Sequence, residues 1–389
     1  MTSRQPQLPL RLGIIGLSAS ATTSWASAAH LPGLLSDHGK RDYTIKALCN
    51  SSVEAARNAI ETYKLPPDVK AYGTPEDLAA DNDIDVVICS TRVDKHYETI
   101  LPSVRAGKKV YVEWPIASNS KQIEELVQAA KSSGAKVAVS LQGRWVPPVA
   151  KIREIVKSGT LGRVLSSSIS AFGGTNNRNG LPPGLDYFLD WKVGGNIITI
   201  GFGHLIDFTL SALGDFVPGT TSARTQIQWQ ENNIVDPKTK EVVRTAKSDV
   251  PDLISVHGEL TSPSGNLMPG ATLSAQYRRG QPFKGEPSLL WHINCERGEI
   301  RLRSMNGAAL QATGYDNPPQ VQIHHFHNDT VEDIKWEWEK EQLDVPVFTR
   351  GIMSCLYAFA ESETDGWVSI EDVAHRAEQI NAWVTKGKW

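Results

Sequence analysis

Residues 86–117 read VVICSTRVDKHYETILPSVRAGKKVYVEWPIA. Val86–Ser90 and Lys109–Glu113 are short, β-branched runs with little strict alternation, the pattern of strands covered on both faces. Between them, Lys95–Ala106 carries apolar residues at three-to-four spacing, the stripe of an amphipathic helix. Gly107 stands where a left-handed cap would end that helix. Strand, helix and strand in this order are the repeat of a parallel, doubly wound α/β sheet.

The same rhythm extends outward. Leu10–Leu17, Thr44–Cys49 and Lys136–Leu141 read as further strands, and Ser24–Ser36, Val53–Tyr63 and Ser120–Ser133 as helices, the last closed by Gly134. Past Arg144 the pattern changes. Val149–Lys157 predicts a helix ending at Gly159. Val164–Ala171, Ser255–Leu260, Ala271–Tyr277, Leu289–Ile293 and Glu299–Leu302 then alternate with period two, as in an open, mostly antiparallel sheet with one face on helices. The expected architecture is a Rossmann domain over residues 1–144 and an α+β substrate and oligomerisation domain over 145–389. Two helical stretches from Phe348 to Val384, around Gly366-Trp367, are expected to pack back on the body. Thr175–Asp186 and Glu231–Pro251 are turn-rich excursions.

Length and composition agree with two soluble domains: 389 residues, 40% hydrophobic and 21% charged. A net charge of -3 gives no basic face for nucleic acid. Cys49, Cys89, Cys295 and Cys355 lack C-x-x-C spacing and read as reduced, buried thiols. MTSRQPQLPLRL lacks the apolar core of a signal peptide, and no run approaches the roughly 20 apolar residues of a membrane span. A cytoplasmic chain is expected, with the nucleus as the alternative for a regulator.

The first strand delivers Gly13-Ile14-Ile15-Gly16-Leu17-Ser18-Ala19. Gly13 and Gly16, with the small Ser18 and Ala19, form a degenerate version of the turn that brings backbone N–H groups to a pyrophosphate. Strand two ends in Cys49-Asn50-Ser51-Ser52, without the acid that usually holds the ribose of NAD. Ser51, Ser52 and Arg57 can receive a 2′-phosphate instead, so NADP is slightly favoured over NAD; a solvated helix start is the competing reading. Ser90 and Thr91, at the end of strand four, are further cofactor candidates. Arg144 closes SLQGR at the domain boundary, where it meets a ligand or salt-bridges the lobes. Lys192 in DWKVGG and Tyr187 are candidate proton-handling groups, against a surface or packing role. His324, His325 and His327 lack carboxylate or cysteine partners at ligand spacing, and no metal site is read.

Three stretches carry a resemblance: residues 86–117, SLQGRWVPPVAKIREIVKSGTLGRV and DWKVGGNIITIGFGHLIDFTLSALGD. Together they resemble the Gfo/Idh/MocA family of glucose-fructose oxidoreductases and inositol dehydrogenases. V-E-W, S-L-Q-G-R and F-G-H-x-I-D resemble more narrowly the branch of the yeast galactose-regulon repressor, which binds dinucleotide and a transactivator. The family implies NAD(P)-dependent oxidation or reduction of sugars and polyols, no metal, and homodimers or higher oligomers through the open sheet. In its E-K-P motif, a lysine tunes proton transfer at the substrate hydroxyl. Glu113 and Pro115 match, but Trp114 occupies the lysine position and cannot exchange a proton. His204 matches the family histidine, while the aspartate one turn earlier falls near Thr199 or Ile200 and is missing. Asp207 lies three residues on, near enough to share the face of His204. His204 then reads as a general acid or base, as a hydrogen-bonding pocket residue, or as a satisfied core histidine. His96 matches a position beside the nicotinamide, and Glu113 and Trp114 are placed with it at the cofactor.

Two functions follow. The first is an NAD(P)-dependent oxidoreductase acting on a sugar, polyol, glycoside or related alcohol or ketone through an altered site. The second is a non-catalytic dinucleotide-binding co-regulator that receives a protein transactivator.

Overall fold

Parallel strands buried on both faces form the centre of the first of two units. The computed structural model describes residues 9–21, 24–173, 178, 180–312, 317–362 and 366–386. The first unit comprises Met1–Gln142, Lys192–Gly195 and Glu339–Ala377; the second comprises Gly143–Trp191, Asn196–Trp338 and Glu378–Trp389.

In the first unit, β1 (Leu10–Ile15), β2 (Tyr43–Cys49), β3 (Lys70–Tyr72), β4 (Val86–Cys89), β5 (Lys109–Glu113) and β6 (Val137–Ser140) run parallel. Every residue of β4 and β6 is buried, which is why these strands show no alternation. The helices are α1 (Leu31–Leu35), α2 (Asp37–Asp42), α3 (Val53–Thr62), α4 (Pro75–Ala80), α5 (Val93–Arg105) and α6 (Ser120–Ser133). Ser52, Thr74 and Asn119 cap α3, α4 and α6 by accepting from backbone N–H groups inside the first turn. Gly107 (φ 74°) and Gly134 (φ 76°) both adopt the left-handed conformation expected of them.

The single helix expected over 24–36 is instead a π-helical turn, Ala26–His30, running into α1. Ser36 then leaves the helix in extended conformation and caps α2. β3 and α4 were not anticipated, because Lys70–Tyr72 is too short and polar to register as an apolar run.

The second unit begins with α7 (Pro147–Ser158), which ends at left-handed Gly159, and contains α8 (Gly203–Leu213). Its strands are β7 (Val164–Phe172), β8 (Asp215–Phe216), β9 (Ser222–Gln226), β10 (Glu231–Val235), β11 (Val242–Lys247), β12 (Leu253–Thr261), β13 (Leu267–Arg278), β14 (Leu289–Cys295), β15 (Gly298–Ser304), β16 (Gln320–His325) and β17 (Thr330–Ile334). The main sheet has the order β17-β16-β15-β14-β7-β13-β12-β8, with β9 also on β12. Only the β7–β13 pair is parallel. β14 and β15 alternate buried and half-buried residues, so one face carries the core. The 231–251 excursion folds into the separate β10–β11 hairpin.

The last segment supplies α9 (Lys340–Leu343), α10 (Val347–Glu361), β18 (Val368–Ser369) and α11 (Ile370–Lys386). β18 joins β6 antiparallel and completes the order β18-β6-β5-β4-β1-β2-β3. α10 is tied to the first unit by the Tyr43 hydroxyl, which donates to the Leu356 carbonyl, and by Phe359, tilted against Tyr111. No helix among the described residues is long and apolar enough to cross a membrane.

β1 ends at Gly16, whose φ of +93° is left-handed and whose Cβ, if it had one, would stand 2.5 Å from the Ser90 carbonyl oxygen. Gly16→Ala should therefore destabilise the chain by about 2 kcal/mol or more, combining left-handed strain with displacement of the β4 backbone. Urea unfolding tests this, and an unchanged midpoint would refute it.

Candidate functional site

The carboxyl edge of the parallel sheet is built by short backbone contacts. Gly16 N–H donates to the Cys49 carbonyl at 3.1 Å, and Ser90 N–H to the Ile15 carbonyl at 3.0 Å. Asn50 Nδ2 donates to the Leu17 carbonyl at 2.9 Å, and the Tyr63 hydroxyl to the Ser18 carbonyl at 2.8 Å. With both carbonyl dipoles engaged this way, the Gly16–Ala19 turn suits an anionic pyrophosphate. Gly13 differs from its expected role. It lies inside β1, and a Cβ there would meet Leu78 at 2.9 Å, so its small size serves packing under α4 instead of the phosphate turn.

At the end of β2, Ser51 and Arg57 are exposed, while Ser52 Oγ is engaged in capping α3. At the end of β4, the backbone of Ser90 packs on Gly16, and the Thr91 carbonyl faces His96 Nε2 at 3.0 Å. The other ring nitrogen, Nδ1, lies 2.8 Å from the Pro115 carbonyl. Burial pushes the His96 pKa down, against the raising pull of the two carbonyls. His96 thus ties the β4–α5 loop to the turn after β5 and offers no ring nitrogen to a cofactor. Its neighbour Tyr97 donates its hydroxyl to Glu125.

In the V-E-W-P turn, Glu113 Oε1 lies 2.6 Å from His30 Nε2, and both side chains are buried. Sequence reading missed His30, which nothing but its place after the phosphate turn could have flagged. Trp114 is also buried and is joined to Pro115 by a cis peptide. Lys192 is exposed in a short 3-10 turn, Trp191–Val193. The Val193 carbonyl accepts from the Ser118 hydroxyl at 2.9 Å, and a Cβ on left-handed Gly194 would stand 2.4 Å from Ser118 Cα. Lys192 is thereby anchored to the segment that carries Trp114, four residues before Ser118.

The second unit holds His204 and Tyr187. A π-helical turn, Ile197–Phe202, precedes α8 and is started by Asn196, which accepts from the Ile198 and Thr199 N–H groups. Thr199, near the missing family acid, completes this capping box by accepting from Asn196 N–H at 3.0 Å. His204 follows as the second residue of α8 and is 7% exposed. π-helical turns occur disproportionately at functional sites. Three residues further along α8, Asp207 accepts on its two carboxylate oxygens from Arg144 Nε and its terminal nitrogen at 2.7 and 2.6 Å. Arg144 therefore braces α8 inside the second unit. Tyr187 lies on the short 3-10 helix Asp186–Leu189, where Asp186 pairs with Arg244 of β11. Of the loop expected at 175–186, residues 175–177 and 179 lie outside the described residues.

Residues 10–141 match the oxidoreductase family with an NAD-binding Rossmann fold, Gfo/Idh/MocA. Residues 147–304, which include the F-G-H-x-I-D stretch, match the Gal80p C-terminal domain. The chain is 29% identical over 385 residues to the dehydrogenase aclE of Aspergillus oryzae, covering 96% of this chain and 94% of aclE. It is 26% identical over 308 residues to the galactose/lactose metabolism regulatory protein GAL80 of Saccharomyces cerevisiae, covering 77% and 68%. A crystal structure of the S2 super-repressor mutant of S. cerevisiae Gal80p has the same fold: TM-score 0.83, 21% identity, covering 97% of this chain and 96% of that one.

The Arg144–Asp207 pair yields a stability prediction. The Asp207 side chain is 1% exposed and that of Arg144 is 21% exposed, so removing the guanidinium strands the more deeply buried charge. Arg144→Gln should cost about 3 kcal/mol, and Asp207→Asn less. Denaturant unfolding of both variants tests the order.

Proposed function

We propose that this chain is an NAD(P)-dependent oxidoreductase acting on the CH–OH or carbonyl group of a sugar, polyol, glycoside or related small molecule. What supports the reading most directly is the Gly16–Ala19 turn, whose carbonyls are engaged by Asn50 and Tyr63 in the manner an anionic dinucleotide requires. A relative that aligns along nearly the whole chain is named a dehydrogenase. When bound, the nicotinamide supplies the hydride donor or acceptor. Gly16, Ser18, Ala19, Ser90 and Thr91 hold the dinucleotide at the strand edge. The buried His30–Glu113 pair fixes the turn bearing Trp114, and Trp114 gives that turn an apolar wall in place of the family lysine. His204 takes or returns the substrate proton, with Lys192 or Tyr187 as the assisting group. His204→Ala should lower turnover about a hundred-fold or more while leaving cofactor affinity nearly unchanged. Steady-state rates with a parallel cofactor titration test this, and an unchanged rate removes His204 from the mechanism.

NADP is the favoured cofactor, because Arg57 and Ser51 are exposed at the end of β2 and no acid is present there. Arg57→Ala should weaken NADPH about tenfold and NADH little, the loss of one charge-assisted contact. Equal losses for the two would remove Arg57 from 2′-phosphate recognition. A homo-oligomer through the polar outer face of the nine-stranded sheet belongs to the same reading, and light scattering tests it.

A second reading is favoured by the Gal80p-like second unit together with Trp114: a dinucleotide-binding regulator without turnover that engages a protein partner. Titration of NAD and NADP in both redox states, followed by a 340 nm screen with sugars, polyols and glycosides, separates the two. Binding with turnover supports the enzyme, and binding without turnover on any substrate supports the regulator.

A further inference from the structure

His38 and Asp42 stand one turn apart on α2, on the same face of the helix. Glu361, the last residue of α10, completes a group whose ligating atoms all lie within 4.8 Å of one another. The His38 ring is held in place by stacking on Tyr357, with centroids 3.8 Å apart and planes 3° from parallel. His38 Nε2 and Asp42 Oδ2 are 3.5 Å apart. That is longer than an ordinary hydrogen bond. It is close to the edge of about 3.3 Å that separates two ligands of a tetrahedral ion with bonds near 2.0–2.1 Å. Asp42 is 3% exposed, and its Oδ2 has no hydrogen-bond partner although it points into this group. A buried carboxylate oxygen in that position is costly unless something positive meets it.

We propose that His38, Asp42 and Glu361 form a binding site for a divalent first-row transition ion of the zinc type, completed by water. One imidazole and two carboxylates suit such an ion better than magnesium or calcium, which favour all-oxygen shells of six or more ligands. The two carboxylates also balance its charge. The ion would join α2 to α10, two helices from opposite ends of the chain within the first unit, and its role is to fasten the cover of the sheet. The site is independent of the proposed oxidoreductase activity and is read out without it.

The full-length chain, stripped with a chelator, is titrated with Zn2+ and separately with Mg2+; bound metal after desalting and the thermal midpoint are then measured. Asp42→Asn keeps the shape of the buried side chain, and Glu361→Ala alters only an exposed helix end, so circular dichroism should show both folded. The wild type should retain one more equivalent of zinc than either variant. Its midpoint should rise by several degrees with Zn2+ but not with Mg2+, and neither variant should respond. Equal zinc retention by all three proteins, or a zinc-induced shift that persists in Glu361→Ala, overturns the site.

Discussion

Burial of the parallel sheet on both faces is the constraint from which the first unit is organised. Strands such as β4 and β6 leave no face for water, so every surface needs a helical cover. Part of that cover comes from α10, which begins at Val347, whereas the last strand of the βαβ series, β6, ends at Ser140. The Tyr43 hydroxyl on the Leu356 carbonyl and the Tyr111–Phe359 contact hold it there. The carboxyl edge inherits its rigidity from the same packing, because Gly16 and Ser90 press backbone against backbone where β1 and β4 end.

What was legible in the sequence was whatever depends on local periodicity. Lys109–Glu113 and Ser120–Ser133 occur with the boundaries their patterns imply, and Gly107 and Gly134 close their helices. Buried strands and amphipathic helices announce themselves through neighbouring residues. The site was legible only as a set of positions. His204, Trp114 and the Gly16 turn were named by motif, and their partners did not show. Glu113 meets His30, and Arg144 meets Asp207, because pairing across many residues leaves no trace in spacing. Gly13 misled for the opposite reason: a glycine needed for packing looks the same as one needed for a turn.

Trp114 sits between two kinds of change. The turn that bears Trp114 is supported by Glu113 on His30 and by the Pro115 carbonyl on His96. A turn that had lost all purpose would have no need of two buried histidines to hold it. The capping box at Asn196 and the brace from Arg144 to Asp207 fix the start of α8, which carries His204.

The path of the backbone carries one more consequence. Residues 192–195 and 339–377 belong with the first unit although they follow residues of the second, so neither unit is a continuous stretch of chain. Recombination that exchanged an N-terminal half between relatives would bring in a sheet without its own α10 and without the turn that rests on Ser118. Each unit is therefore specified by parts of the chain that must be inherited together.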